Sequence, residues 1–120
     1  MLRVPPEEFD TLVEKAIAEL PEEFARLVQN VVIVVEEEPD PEVLAEMGFA
    51  PDEELLGLYH GTPLTERGAN FDGLPDQVSL YRQPLLRYCR SRRELVREVR
   101  DTLVHELGHY FGLSDEEMPY

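Results

Sequence analysis

The segment from Val104 to Met118 reads VHELGHYFGLSDEEM, and its histidines and carboxylates are the residues best placed to do chemistry. On a helix, residues four apart share nearly one azimuth, so His105 and His109 are neighbours one turn apart. Two such imidazoles can bind a single zinc ion through ring nitrogens at about 2.0–2.1 Å. Glu106 is rotated to one side of the pair, where it reaches a water on the metal without competing as a ligand. Zinc lowers the pKa of that water towards about 7, and a neighbouring carboxylate can take its proton and later hand it to a leaving amine. The alternative is a helix that merely carries polar residues. Nothing in the local sequence requires an acid at position 106 for structure, so the expectation is a working site.

A catalytic zinc needs three protein ligands and one open position. Eleven residues follow His109, too few for a later helix to bring a glutamate to the metal. The motif that remains is H-E-x-x-H-x-x-G-x-x-D, with Gly112 turning the chain and Asp115 arriving three residues on. This spacing resembles that of metzincin-type zincins, in which the residue at that position is usually His and sometimes Asp. Two alternatives stay open: Asp115 as a solvated acid beside Glu116 and Glu117, and His60, in LYHG, as the third donor.

These residues need a scaffold. Ser91 followed by Glu94 is a capping box that opens the last helix, and Gly112 can adopt the left-handed turn that ends it. Between them Val96, Val99, Leu103, Leu107 and Tyr110 recur at helical spacing and form its buried stripe. The two histidines fall roughly opposite that stripe, away from where a core histidine would sit. Upstream, Pro5 or Pro6 opens a helix whose core face is Phe9, Leu12, Val13, Ala16, Ile17 and Leu20, and Pro21 breaks it or starts a short second helix to Leu27. Val31–Glu37 is β-branched and apolar without alternation, as in a buried central strand. A turn and short helix closed by Gly48 follow, then a strand at Leu55–Gly61. The Gly- and Pro-containing stretch from Gly61 to Asp76 reads as a loop. Gln77–Arg82 alternates like a strand with one open face, stopped by Pro84.

The whole chain sets limits. Its 120 residues fit one domain spanning 1–120. Twenty-six acids oppose 11 bases, a net charge of −15, which excludes general nucleic-acid binding because that needs basic surface against phosphate. Sixteen acids lie in residues 1–60 and seven bases between Arg82 and Arg100. That division is expected to leave a solvated acidic surface and one arginine-bearing helix paired with the acidic half, rather than a dedicated basic docking patch. No apolar run is long enough for a membrane span, and the N-terminus lacks the apolar stretch of a signal peptide. Together with the single Cys89, which cannot form an internal disulfide, this leads to a cytoplasmic expectation.

The stretch LPDQVSLYRQPLLR, the last helix with its motif, and LLGLYHGTPLTERG together resemble the small bacterial zincin-like metallopeptidase family. The resemblance covers nearly all of the chain after about residue 30. It implies an α+β, minimal zincin-like fold, with a small mixed β-sheet packed with helices including the C-terminal HExxH helix. It also implies that His105, His109 and Asp115 bind Zn2+, that Glu106 is the base, and that the partner is a peptide or protein substrate. The sequence departs from true metzincins in lacking a downstream methionine turn; Met118 and Tyr120 come too early to supply one. Two functions compete: a zinc-dependent peptidase, and a zinc-binding or regulatory module that keeps the metal, or only the fold, without hydrolysing peptides. For the peptidase, Gln77–Arg82 is the expected edge strand to hold a substrate backbone, with Tyr81, Tyr110 and His60 as candidate oxyanion donors.

Overall fold

The computed structural model describes residues 1–50, 53–61 and 76–110, with Tyr110 as backbone only. The loop expected between Gly61 and Asp76, apart from its end residues, lies outside the described residues, as do Gly112, Asp115 and Met118.

Helix α1, Pro6–Ala18, starts with proline at its first position and Glu7 and Glu8 in its first turn, where orphan backbone donors and the positive end of the helix dipole favour them. It buries Phe9, Val13 and Ala16, while Leu12 and Ile17 pack half-buried against the same core. Pro21 then separates α1 from α2, Glu22–Val28, because a proline ring cannot continue the hydrogen-bond ladder. Strand β1, Val31–Glu36, leads to the short helix α3, Pro41–Glu46. The side chain of Asp40 caps α3 by accepting from the Glu42 amide, and Gly48 turns the chain at φ +77°.

Three strands make the sheet, in the order β1-β3-β2. Strand β2 is Gly57–His60 and β3 is Asp76–Tyr81. β1 runs parallel to β3, with Val31 opposite Asp76, and β2 runs antiparallel to it, with Tyr59 opposite Val78. Two sequence expectations are corrected here. The apolar run of β1 is an edge strand, half-buried along most of its length, with Val32 45% exposed. The central strand is β3, in which Asp76, Val78, Ser79, Leu80 and Tyr81 are all buried, so neither of its faces is open. Continuous valine-isoleucine runs report β-preference well, but which strand sits in the middle depends on pairings far apart in the chain.

A further correction concerns Pro84. It does not end the structure after β3 but lies inside helix α4, Arg82–Tyr88, which sequence reading missed. At the third helical position its missing amide is one of the first-turn donors that have no partner within a helix anyway. Helix α5, Arg92–Tyr110, has 19 residues and runs about 28 Å. Half of its capping box forms, with the Glu94 amide donating to Ser91 Oγ, while the Glu94 carboxylate reaches past Ser91 and accepts from the Arg90 amide. Val96, Val99, Leu103 and Leu107 are buried as the stripe requires, and so are Leu95 and Val104, which widen the buried face. α5 packs on α1 along one side and on the sheet along another. It is the element that ties the apolar core to the histidine pair.

Candidate active site

On α5 the imidazoles of His105 and His109 lie with ring centroids 5.4 Å apart at an interplanar angle of 70°. They share one side of the helix, and the His109 side chain keeps about 35% of its surface exposed. Glu106 is 8% exposed. Its Oε1 accepts a 2.8 Å hydrogen bond from the backbone amide of Tyr59 and stands 3.7 Å from His109 Nδ1. This corrects the expectation that position 106 has little structural reason to be acidic. A carboxylate so deeply buried needs a donor, and strand β2 supplies one.

The register explains why that donor is available. Tyr81 donates to the Leu56 carbonyl, so Leu56 and Tyr81 form a hydrogen-bonded pair. Because pair types alternate along an antiparallel ladder, Tyr59, opposite Val78, is in a non-bonded pair, with its amide turned away from β3. The outer edge of β2 therefore faces α5, and Glu106 occupies it at Tyr59. Gly57 lets the two elements approach: a Cβ there would lie 2.6 Å from Thr102 Cγ2 and 3.0 Å from the Ser79 carbonyl. A cleft of about 310 Å3 opens beside this contact, lined by Leu55, Leu56, Gly57, Asp101, His105 and Glu106 among others. A larger groove of about 610 Å3 lies between α1 and α5, but it carries Lys15, Arg93, Arg97 and Glu19 and neither histidine. The cleft beside His105 holds the residues that can do chemistry.

Tyr59 joins several parts of the site. Its ring stands edge-on to His109 with centroids 6.3 Å apart. Its hydroxyl donates to Asp76 Oδ2 at 3.0 Å, and Asp76 is 2% exposed. Sequence reading passed over both residues. Asp76 stands at the end of a stretch that reads as a loop, so no local signal marked it, and its partner lies 17 residues away.

The remaining candidates lie elsewhere. His60 follows Tyr59, and strand alternation turns it to the opposite face of the sheet, where its Nε2 is 3.2 Å from Ser79 Oγ. Gln77 Nε2 also donates to that hydroxyl. The structure does not bring His60 to the histidine pair. Tyr81 shares the Ser79 face by alternation, and burial, followed by the charge of Glu36, raises its pKa above the usual tyrosine value. Gln77–Arg82 was expected to be the substrate-holding edge, and this too is corrected: the segment is the central strand β3 with its first helical neighbour, and the edge strand beside α5 is β2. The Tyr110 side chain and Asp115 lie outside the described residues.

The two imidazoles fit a zinc ion: they are a turn apart on one face, with a carboxylate held just to the side. Among the described residues no cluster of three His, Cys, Asp or Glu side chains is placed to hold a metal. The expected third donor, Asp115, is beyond them.

A small mixed sheet whose antiparallel edge strand lies against a helix bearing H-E-x-x-H defines an α+β, zincin-like fold. The chain belongs to the zincin-like metallopeptidase family, whose profile matches residues 28–120. It is similar in structure to a conserved hypothetical protein from Thermus thermophilus, with 30% sequence identity and a TM-score of 0.57. That similarity covers 88% of this chain and 92% of the other. None of the curated proteins compared with the chain matches it.

Proposed function

We propose that this chain is a zinc-dependent peptidase in which His105 and His109 hold the ion, Asp115 completes the ligand set and Glu106 is the general base. The observation that carries this reading is the placement of the Glu106 carboxylate, pinned by the Tyr59 amide beside the histidine pair and at the wall of a cleft. Zinc, when bound, would supply a Lewis acid and a water acidic enough to ionise near neutral pH. The protein does the rest. The Glu106 carboxylate, fixed in place by the bond from Tyr59 to Oε1, would receive the proton of an attacking water and return it to the departing amine. Gly57, two residues from Tyr59, also turns its amide and carbonyl away from β3, and it lines the cleft beside His105.

Zinc loading of the purified chain tests the metal, with an expected content of about one equivalent. His105→Ala should lose it while the helical circular dichroism survives, since His105 lies off the apolar core of α5. Asp115→Ala should weaken zinc binding by about 10-fold or more, and Asp115→His should retain it because imidazole suits the same ion. A parent chain that takes up no zinc would end this reading. Parental affinity in Asp115→Ala would move the third-ligand role elsewhere.

A further inference from the structure

Tyr59 places three separate groups at three points of the site. Its amide donates to Glu106 Oε1, its ring edge meets His109, and its hydroxyl donates to Asp76. The far end of this arrangement is fixed. Asp76 is buried in the central strand, opposite Val31 of β1. Gly61, at φ +150°, passes so close that a Cβ there would lie 2.1 Å from Asp76 Oδ1. The glycine leaves room for the carboxylate, and the carboxylate holds the phenol. A tyrosine on an edge strand would otherwise select its side-chain rotamer against solvent. Held at both backbone and hydroxyl, its ring cannot swing away from His109.

We propose that Tyr59 is the positioning residue of the site. It sets the base through its backbone and the second histidine through its ring, with Asp76 as its anchor in the sheet. Resting on the zinc reading above, this adds a relay from the middle of the sheet to a metal-binding side chain. Residues that orient metal-binding histidines commonly govern affinity as well as activity, so the effect is measurable without a substrate.

The test uses the full chain with Co2+ as a spectroscopic probe, and Zn2+ in competition with a chromophoric chelator. Tyr59→Phe removes the anchor and keeps the ring, and Tyr59→Leu removes both. The exposed Tyr88 provides Tyr88→Phe as a control. All are measured at a temperature where circular dichroism shows each variant folded. Zinc affinity is expected to fall about 3- to 10-fold in Tyr59→Phe and about 10- to 100-fold in Tyr59→Leu, with altered visible bands of bound Co2+ in both. Tyr88→Phe should match the parent. A purely packing role predicts a lower melting temperature with parental affinity and parental Co2+ bands, and that result overturns the assignment. Should Tyr59→Leu fail to fold, Tyr59→Phe alone decides by the same two readouts. A parent chain that binds neither ion overturns the zinc reading itself, a failure distinct from parental behaviour in the Tyr59 variants.

Discussion

Replacing Glu106 with glutamine keeps an oxygen where Oε1 accepts from the Tyr59 amide but removes the basicity. Glu106→Gln should therefore leave zinc content and melting temperature near the parent's and lower peptide turnover by about 10²-fold or more. A chelator-sensitive peptide-library assay reads the second effect. Hydrolysis at the parental rate in Glu106→Gln would remove Glu106 as the base even with the metal in place. A binding or regulatory module without hydrolysis, in which the Tyr59–Glu106 bond is structural alone, predicts no cleavage by parent or variant. Gly61→Ala probes the other end of the relay. With φ at +150° and no room for a Cβ beside Asp76, it should cost about 1–3 kcal/mol in urea unfolding. The histidines and Glu106 were legible because their relation is local, set by one turn of helix. Tyr59 was not, because its partners lie 47 and 17 residues away in sequence and no short-range pattern encodes them.

At the scale of elements, α5 carries both the core and the site, so packing faults on one side should be felt on the other. Leu103 is fully buried, two residues before His105. Leu103→Ala should destabilise by about 2–5 kcal/mol in thermal or urea unfolding, from lost burial and the cavity left behind. Zinc added at about 100 times its dissociation constant should return about 2.7 kcal/mol, provided the metal binds the folded form alone. The start of α5 and the α1–α2 break were readable from capping residues, prolines and helical periodicity. The order of the strands was not: apolar content marked β1 as central, whereas pairing places β3 there. Helix α4 was hidden for another reason. Pro84 reads as a stop, yet within the first turn its missing amide removes no hydrogen bond.

Over the whole molecule, the division of charge becomes a set of bridges between distant segments. Arg92 pairs with Glu8, Arg82 with Glu37, and Arg87 with both Glu38 and Glu54. Composition foresaw acids facing arginines without saying which. The Glu8 carboxyl is held below its usual range by the hydrogen bond from Arg92, Glu37 by Gln83 and then Arg82, and Glu38 by Arg87. Acids depressed in the folded state stabilise above the ordinary carboxylate range, and that stability is lost as pH falls through their lowered values. Glu98, raised mainly by burial, acts in the opposite sense. Because the three depressed acids titrate below the ordinary carboxylate value and Glu98 above it, the melting temperature should fall on acidification from about pH 4.5 to about pH 2.5, by a modest amount because the depressed carboxyls are solvated. Added salt should shrink the difference, and a melting temperature that rises on acidification would contradict it. Cys89, 2% exposed with a thiol that burial pushes up to about 12, should resist a thiol reagent at about pH 8 until the chain is unfolded.

The place of β3 in chain order has a consequence for synthesis. β1 ends at Glu36 and its partner begins at Asp76, so the strand it must join starts 40 positions after its own end. At ribosomal rates of about 5–20 residues per second, β1 waits about 2–8 s without that partner after it is made. Until then its valines and isoleucine present an unpaired apolar edge, the kind of segment that chaperones cover during translation.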